Sequence, residues 1–131
     1  MRTRVVPRQI EFWEGEPCVL VDLVIAADTD LPVTSGQVSS VSLYAYDLSA
    51  SDRSSPSYSE SPIDPTTVYY DTVQIGYAHL MGSSEGYNFK LVIDTSTFAF
   101  LGGRTYRIQV YSQIGASSYV AVYHAKVGAT L

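Results

Sequence analysis

The sequence predicts an all-β protein: an antiparallel two-sheet β-sandwich of seven to eight strands with an extended N-terminal arm. Three runs carry that prediction: Gly86–Asp94, Gly102–Val110 and Ser117–Tyr123. All three alternate apolar and polar residues, the pattern of antiparallel strands with one buried face. Turns rich in glycine, Asp, Thr or Ser separate the runs. The only candidate for helix is a single turn near Thr95 to Phe100. No internal repeat or heptad is present. Regular strand spacing with turn signals between strands is the pattern of a two-sheet sandwich.

The chain divides into an extended arm over 1–16 and one sandwich domain over 17–131. Residues 1–10 read as extended and are punctuated by Pro7, with Ile10 to Trp13 as a short strand. Glu14-Gly15-Glu16-Pro17 is a turn. Cys18 to Ala27 reads as a strand with Val19, Val21, Leu23 and Ile25 on the core face and Asp22 on the wet one. A loop follows from Asp28 to Gln37, broken by Pro32 and Gly36. Val38 to Asp47 is the next strand, with Val41, Leu43 and Ala45 pointing one way and Ser40, Ser42, Tyr44 and Tyr46 the other.

Residues 49–66 hold seven serines and three prolines (Pro56, Pro62, Pro65). So little apolar surface predicts a long loop without structure of its own, of a kind that serves function or stays mobile. Val68 to Ile75 is a further strand, and a piece around Tyr77 to Met81 is placed to pair with it. Gly82 to Gly86 is a turn. Tyr87, Phe89, Leu91 and Ile93 face the core, with Asn88 and Lys90 outward. Phe98, Phe100 and Leu101 close the end of the core. Tyr106, Ile108 and Val110 point inward, and Arg107, Gln109 and Tyr111 outward. Ile114-Gly115-Ala116 makes a hairpin turn. In the last strand, 117–127, Val120 and Val122 compete with Tyr119, Ala121 and Tyr123 for the core, and alternation does not choose between them.

With 131 residues, 46% of them hydrophobic, the chain can build one domain core without disulfide or metal staples. Charged residues make up only 16% and tyrosines number 11, so much of the surface must be hydroxyl and aromatic edge, which suits contact with other proteins. The net charge of −5 weighs against nucleic acid as the main partner, since phosphate binding needs a basic face. Arg2, Arg4 and Arg8 nevertheless crowd the first ten residues without an acid, leaving the remainder at −8 (−5 minus +3). Such an arm can dock on an acidic neighbour or simply fray. Cys18, the sole cysteine, excludes an intrachain disulfide and reads as a small buried hydrophobe. The first residues lack the apolar run of a signal peptide, and Cys18 to Ala27 is too short to span a bilayer, so synthesis in the cytoplasm is expected, with no membrane association.

Chemistry is hard to place. His79 and His124 lack metal-ligand spacing; one of the two reads as an exposed strand residue and the other as a turn residue. No nucleophile elbow, dinucleotide fingerprint or phosphate loop occurs. Asp28-Thr-Asp30 supplies two carboxylates of the six or so oxygens calcium needs, and otherwise reads as a solvated turn. A glycosidase pair of Glu85 and Asp94 would be arbitrary. No catalytic residue, metal or cofactor is expected. The tyrosines are the stronger signal. Tyr44 and Tyr46 share one outward face, Tyr111 faces outward on another strand, and Tyr119 and Tyr123 are candidates on the last. Tyrosine offers large area at low entropy cost with a polar handle, which favours a protein interface over a sugar platform or a merely solubilising role.

Asp94, followed by Gly102-Gly-Arg-Thr-Tyr106-Arg-Ile-Gln-Val110, resembles the corner of immunoglobulin-like and fibronectin-III-like domains. There a tyrosine opening the sixth strand ties the corner to upstream backbone, and Tyr106 is the matching position. The Cys-Trp-Cys core of antibody domains is missing, since Trp13 and Cys18 do not have its spacing. Val41-Ser-Leu-Tyr-Ala-Tyr-Asp47, Tyr69-Tyr-Asp-Thr72, Gly86-Tyr-Asn-Phe89 and Gly103-Arg-Thr-Tyr106 are also similar to small virion proteins of tailed bacteriophages, over most of 17–127. The resemblance implies a non-enzymatic decoration or cement protein on the capsid exterior. It would bind major capsid protein or other virion subunits, as a homo-oligomer or in many copies on a lattice. A baseplate or tail attachment module of the same fold is the alternative, and a carbohydrate-binding sandwich a further one. The residues expected at the interface are Arg2, Arg4, Arg8, Trp13, Tyr44, Tyr46, Tyr111, Tyr119 and Tyr123.

Overall fold

Period-two alternation resolves into eight strands in a computed structural model that describes residues 8–76 and 86–129. They are β1 (Arg8–Trp13), β2 (Cys18–Asp22), β3 (Val38–Asp47), β4 (Tyr58–Ile63), β5 (Tyr69–Gln74), β6 (Tyr87–Ile93), β7 (Thr105–Ile114) and β8 (Ser117–Gly128). Among the described residues, helix is limited to single 3-10 turns at Ser35–Gln37 and Pro65–Thr67. One sheet has five strands in the order β1-β8-β7-β3-β4, and the other has three in the order β2-β6-β5. All pairs are antiparallel except β1 with β8, which run parallel. That exception corrects the wholly antiparallel expectation. Gly15 (φ 93) and Pro17 turn the chain out of the plane of β1, so β2 joins the other sheet instead of forming a hairpin. The edge of β8 then satisfies the hydrogen bonds of β1.

The core lies between the sheets. Val41, Leu43 and Ala45 of β3, Tyr106, Ile108 and Val110 of β7, and Tyr87, Phe89, Leu91 and Ile93 of β6 are buried as their alternation predicts. In β8 the pairing register decides the faces. Ile108 stands opposite Tyr123 and Val110 opposite Ala121, so Tyr119, Ala121, Tyr123, Ala125 and Val127 share the inward face. Tyr119 and Tyr123 are therefore core residues, not the outward contacts expected of them. Each hydroxyl finds a partner inside: Tyr119 donates to Asp22 Oδ2 at 2.7 Å, and Tyr123 to the Val21 carbonyl at 3.1 Å.

Two polar residues expected in water are fully inside. Strand β2 buries Cys18, Leu20 and Asp22 from the face opposite to the expected one, together with Val21 as expected, and stops at Asp22. Asp22 tolerates burial because its carboxylate accepts from Tyr119, from the Leu23 N–H (2.9 Å) and from Arg8 (3.2 Å), an ion pair that links β1 to the opposite sheet. Asn88 has no exposed surface. Its Oδ1 accepts from the Val24 N–H at 2.7 Å, and its Nδ2 donates to the carbonyls of Val24 (2.9 Å) and Val33 (2.7 Å). One amide thus supplies the hydrogen bonds that the irregular β2–β3 connection cannot make as a strand.

Other expectations change at the edges. The loop proposed over 49–66 contains β4, which takes backbone hydrogen bonds from β3 and anchors Ile63 in the core. Tyr58 of β4 stacks on Phe98 at 5.1 Å. Pro62 is tolerated because β4 is an edge strand. Within the arm, the short strand expected over Ile10 to Trp13 is present and begins at Arg8, while Arg2 and Arg4 lie outside the described residues. The strand piece at Tyr77 to Met81 and the turn from Gly82 also lie outside them, apart from Gly86. Leu101 is 48% exposed and does not cap the core; Phe100 does, edge-on to Phe12 (5.5 Å) and Tyr106 (4.8 Å). The Leu101 N–H donates instead to the Tyr106 hydroxyl at 3.0 Å, so Tyr106 does tie the start of β7 to upstream backbone.

Candidate functional site

The outer face of the five-stranded sheet is assembled from alternate residues of β3, β7 and β8. Its rows follow from the register. Tyr46 stands beside Arg107, and Arg107 beside His124, which neighbours Gln9 of β1. In the next row Tyr44 stands beside Gln109 and Val122, and in the third Ser42 beside Tyr111 and Val120. Short hydroxyl residues, Ser40 and Ser118, flank Gln113 in the fourth.

The aromatic residues brace one another. Tyr44 and Tyr111 meet edge-to-face at 5.8 Å, and the Tyr111 hydroxyl donates to Gln109 Oε1 at 3.1 Å. The Arg107 guanidinium lies over the Tyr46 ring at 4.8 Å, a cation–π contact. Arg107 Nε is buried there without a hydrogen-bond partner among the described residues. Tyr111 remains 38% exposed, while Tyr44 and Tyr46 are half-buried. In these four rows, β3, β7 and β8 present no Asp, Glu or Lys, although the chain holds 13 acids. Tyrosine and arginine without carboxylates or lysine is the composition of an interface core.

The expected contact residues divide accordingly. Tyr44, Tyr46 and Tyr111 come together on this face. Trp13 is 60% exposed at the end of β1, two strands from Tyr111 and three from Tyr44 and Tyr46. Arg8 is turned to Asp22 in the interior, and Tyr119 and Tyr123 are in the core. Sequence reasoning missed His124, Val120 and Val122 as members of the face. Only pairing with β7 shows which side of β8 is outside. Arg107 and Gln109 were readable as outward but not as neighbours of the tyrosines.

Elsewhere the reactive groups are quiet. Burial pushes the Cys18 thiol up to about 12, so it stays protonated. His124 sits 3.5 Å (Nδ1) from Gln9 Nε2, and His79 and Glu85 lie outside the described residues. Asp28 and Asp30 are exposed, and no group of three or more metal-ligating side chains occurs among the described residues. At the far end, Arg104 pairs with the buried Asp47 at 2.7 Å.

No known protein family, curated protein or solved structure matches this chain. The docking reading therefore rests on the geometry of the face.

Proposed function

We propose that this protein is a non-enzymatic adhesion module that docks on a partner protein through the outer face of its five-stranded sheet. The observation that carries the proposal is the clustering of Tyr44, Tyr46, Tyr111 and Arg107 within four rows of β3, β7 and β8 that present no Asp, Glu or Lys. Standard specific interfaces bury about 800 Å² per partner, so docking would draw on this face together with its surroundings. Rings already braced by their neighbours lose little freedom on binding.

An immunoglobulin-like assignment is part of the same proposal. Support comes from the first strand lying parallel beside the last, from β4 extending the β8-β7-β3 sheet, and from the Tyr106 tie at the start of β7. The resemblance to phage virion proteins supplies the setting: a decoration or cement protein on a capsid lattice, where many weak contacts add through avidity.

The test is occupancy on purified particles. Mass spectrometry of such particles should find the chain in many copies. The double variant Tyr44→Ala/Tyr111→Ala should lower occupancy at least tenfold, equivalent to about 1.4 kcal/mol, while melting close to the unmodified protein. Absence of the chain from particles overturns the virion setting, and full occupancy by the variant overturns the docking face.

A further inference from the structure

A second surface has a different chemistry. The indole of Trp13 ends β1 and is 60% exposed. It lies over Gly128, its partner across the β1–β8 pair; a Cβ on Gly128 would come within 2.6 Å of ring atom Cε3 and 2.7 Å of Cζ3. Only glycine leaves room for the ring to lie down on the sheet. The backbone holds it there: the Trp13 N–H donates to Glu16 Oε1 at 2.8 Å, and the Glu14 N–H to the Gly128 carbonyl at 2.9 Å. The result is an aromatic platform fixed before any ligand arrives.

Around it is a cleft of about 380 Å³ bounded by Glu11, Glu16 and Lys126. That volume falls within the range of about 300–1,000 Å³ typical of small-ligand sites. Glu11 and Lys126 are cross-strand neighbours, yet neither makes a hydrogen bond or ion pair among the described residues. The cleft thus presents free acceptors and a free donor beside an exposed ring. A cation would gain from the carboxylates but meet the Lys126 ammonium. An anion would meet two glutamates. A neutral polyhydroxyl ligand can use both signs at once while laying its C–H face on the indole.

We propose that the Trp13 cleft binds a neutral saccharide, with Trp13 as the stacking platform and Glu11, Glu16 and Lys126 as hydrogen-bond partners of its hydroxyls. This site lies at the β1 end of the same sheet face and shares no residue with the tyrosine rows, so a failure of one leaves the other standing.

Trp13 is the only tryptophan, so its fluorescence reports the site directly. The full chain is titrated with linear oligosaccharides of glucose, of N-acetylglucosamine and of xylose, with tetramethylammonium and argininamide as cationic comparators. At least one oligosaccharide should shift the emission saturably, with Kd at or below about 1 mM. By calorimetry, Trp13→Ala should weaken that ligand at least tenfold, and Lys126→Ala by a smaller factor. Tyr44→Ala should leave it unchanged. Emission unmoved by every oligosaccharide, or moved only by the cations, overturns the proposal. So does undiminished binding by Trp13→Ala, and the titration of the unmodified chain decides the matter even if that variant does not fold.

Discussion

Replacing Asn88 by alanine should be among the most damaging single changes available to this protein. Its amide serves three backbone groups in the interior. They do not suffer equally. The Val24 carbonyl also accepts from the Val33 N–H at 2.9 Å and so keeps one partner. The Val24 N–H and the Val33 carbonyl are left without the bonds Asn88 made. Each buried orphan costs about 1–3 kcal/mol, so the expected loss is about 2–6 kcal/mol, with the vacated volume adding to it. Domains of this kind are stable by only about 5–15 kcal/mol, so the loss is a large share of the total. At a size between the usual benchmarks it corresponds to a fall in Tm of about 15 °C. Urea unfolding followed by far-UV circular dichroism measures it. Val92→Thr, on the same strand but 47% exposed, should stay within about 0.5 kcal/mol and serves as the comparison. Hydrogen exchange should localise the damage to the amides of Val24 and Val33. A loss under about 1 kcal/mol in Asn88→Ala, with those amides still protected, would refute the reasoning that one side chain substitutes for a strand ladder here.

Two further outcomes are expected. Tyr106→Phe keeps the ring packed against Phe98 and Phe100 but removes the acceptor of the Leu101 N–H, so it should cost about 1 kcal/mol and a few degrees in Tm; an unchanged melting curve would deny the tie any role. Cys18 should resist alkylation in the folded protein and react on unfolding. Its thiol rises from an ordinary 9.0 to about 12, so between those values the unfolded chain releases a proton that the folded one retains. Stability from this group is whole below pH 9 and declines as pH rises toward 12. A Cys18→Ala variant should therefore show a shallower alkaline decline in urea midpoint than the unmodified protein, and equal slopes would contradict the shift.

Much of the architecture could be read from local pattern. The bounds of β3 and the inward faces of β3, β6 and β7 followed from alternation, because a single buried face imposes a period of two wherever the opposite face is wet. That rule failed where a polar residue was placed inside with its partners. Asp22 looked like a solvent marker and hid the burial of Cys18 and Leu20, although Val21 is buried as expected; Arg8 and Tyr119, far away in sequence, make the burial of Asp22 tolerable. Asn88 failed for the same reason. Strand β4 escaped notice because its order comes from pairing with β3 and one anchor, Ile63, rather than from its own composition.

The amino-acid order alone determined that the chain is β and which face Tyr44, Tyr46, Tyr111 and Arg107 occupy, since side-chain direction along one strand is a local property; it did not show that Tyr69, Tyr87, Tyr106, Tyr119 and Tyr123 are buried. Which strands lie side by side was decided only by the folded state, because register depends on distant hydrogen-bonding edges. That pairing took Tyr119 and Tyr123 into the core, set Val120 and Val122 among the outward tyrosines, and laid Trp13 on Gly128.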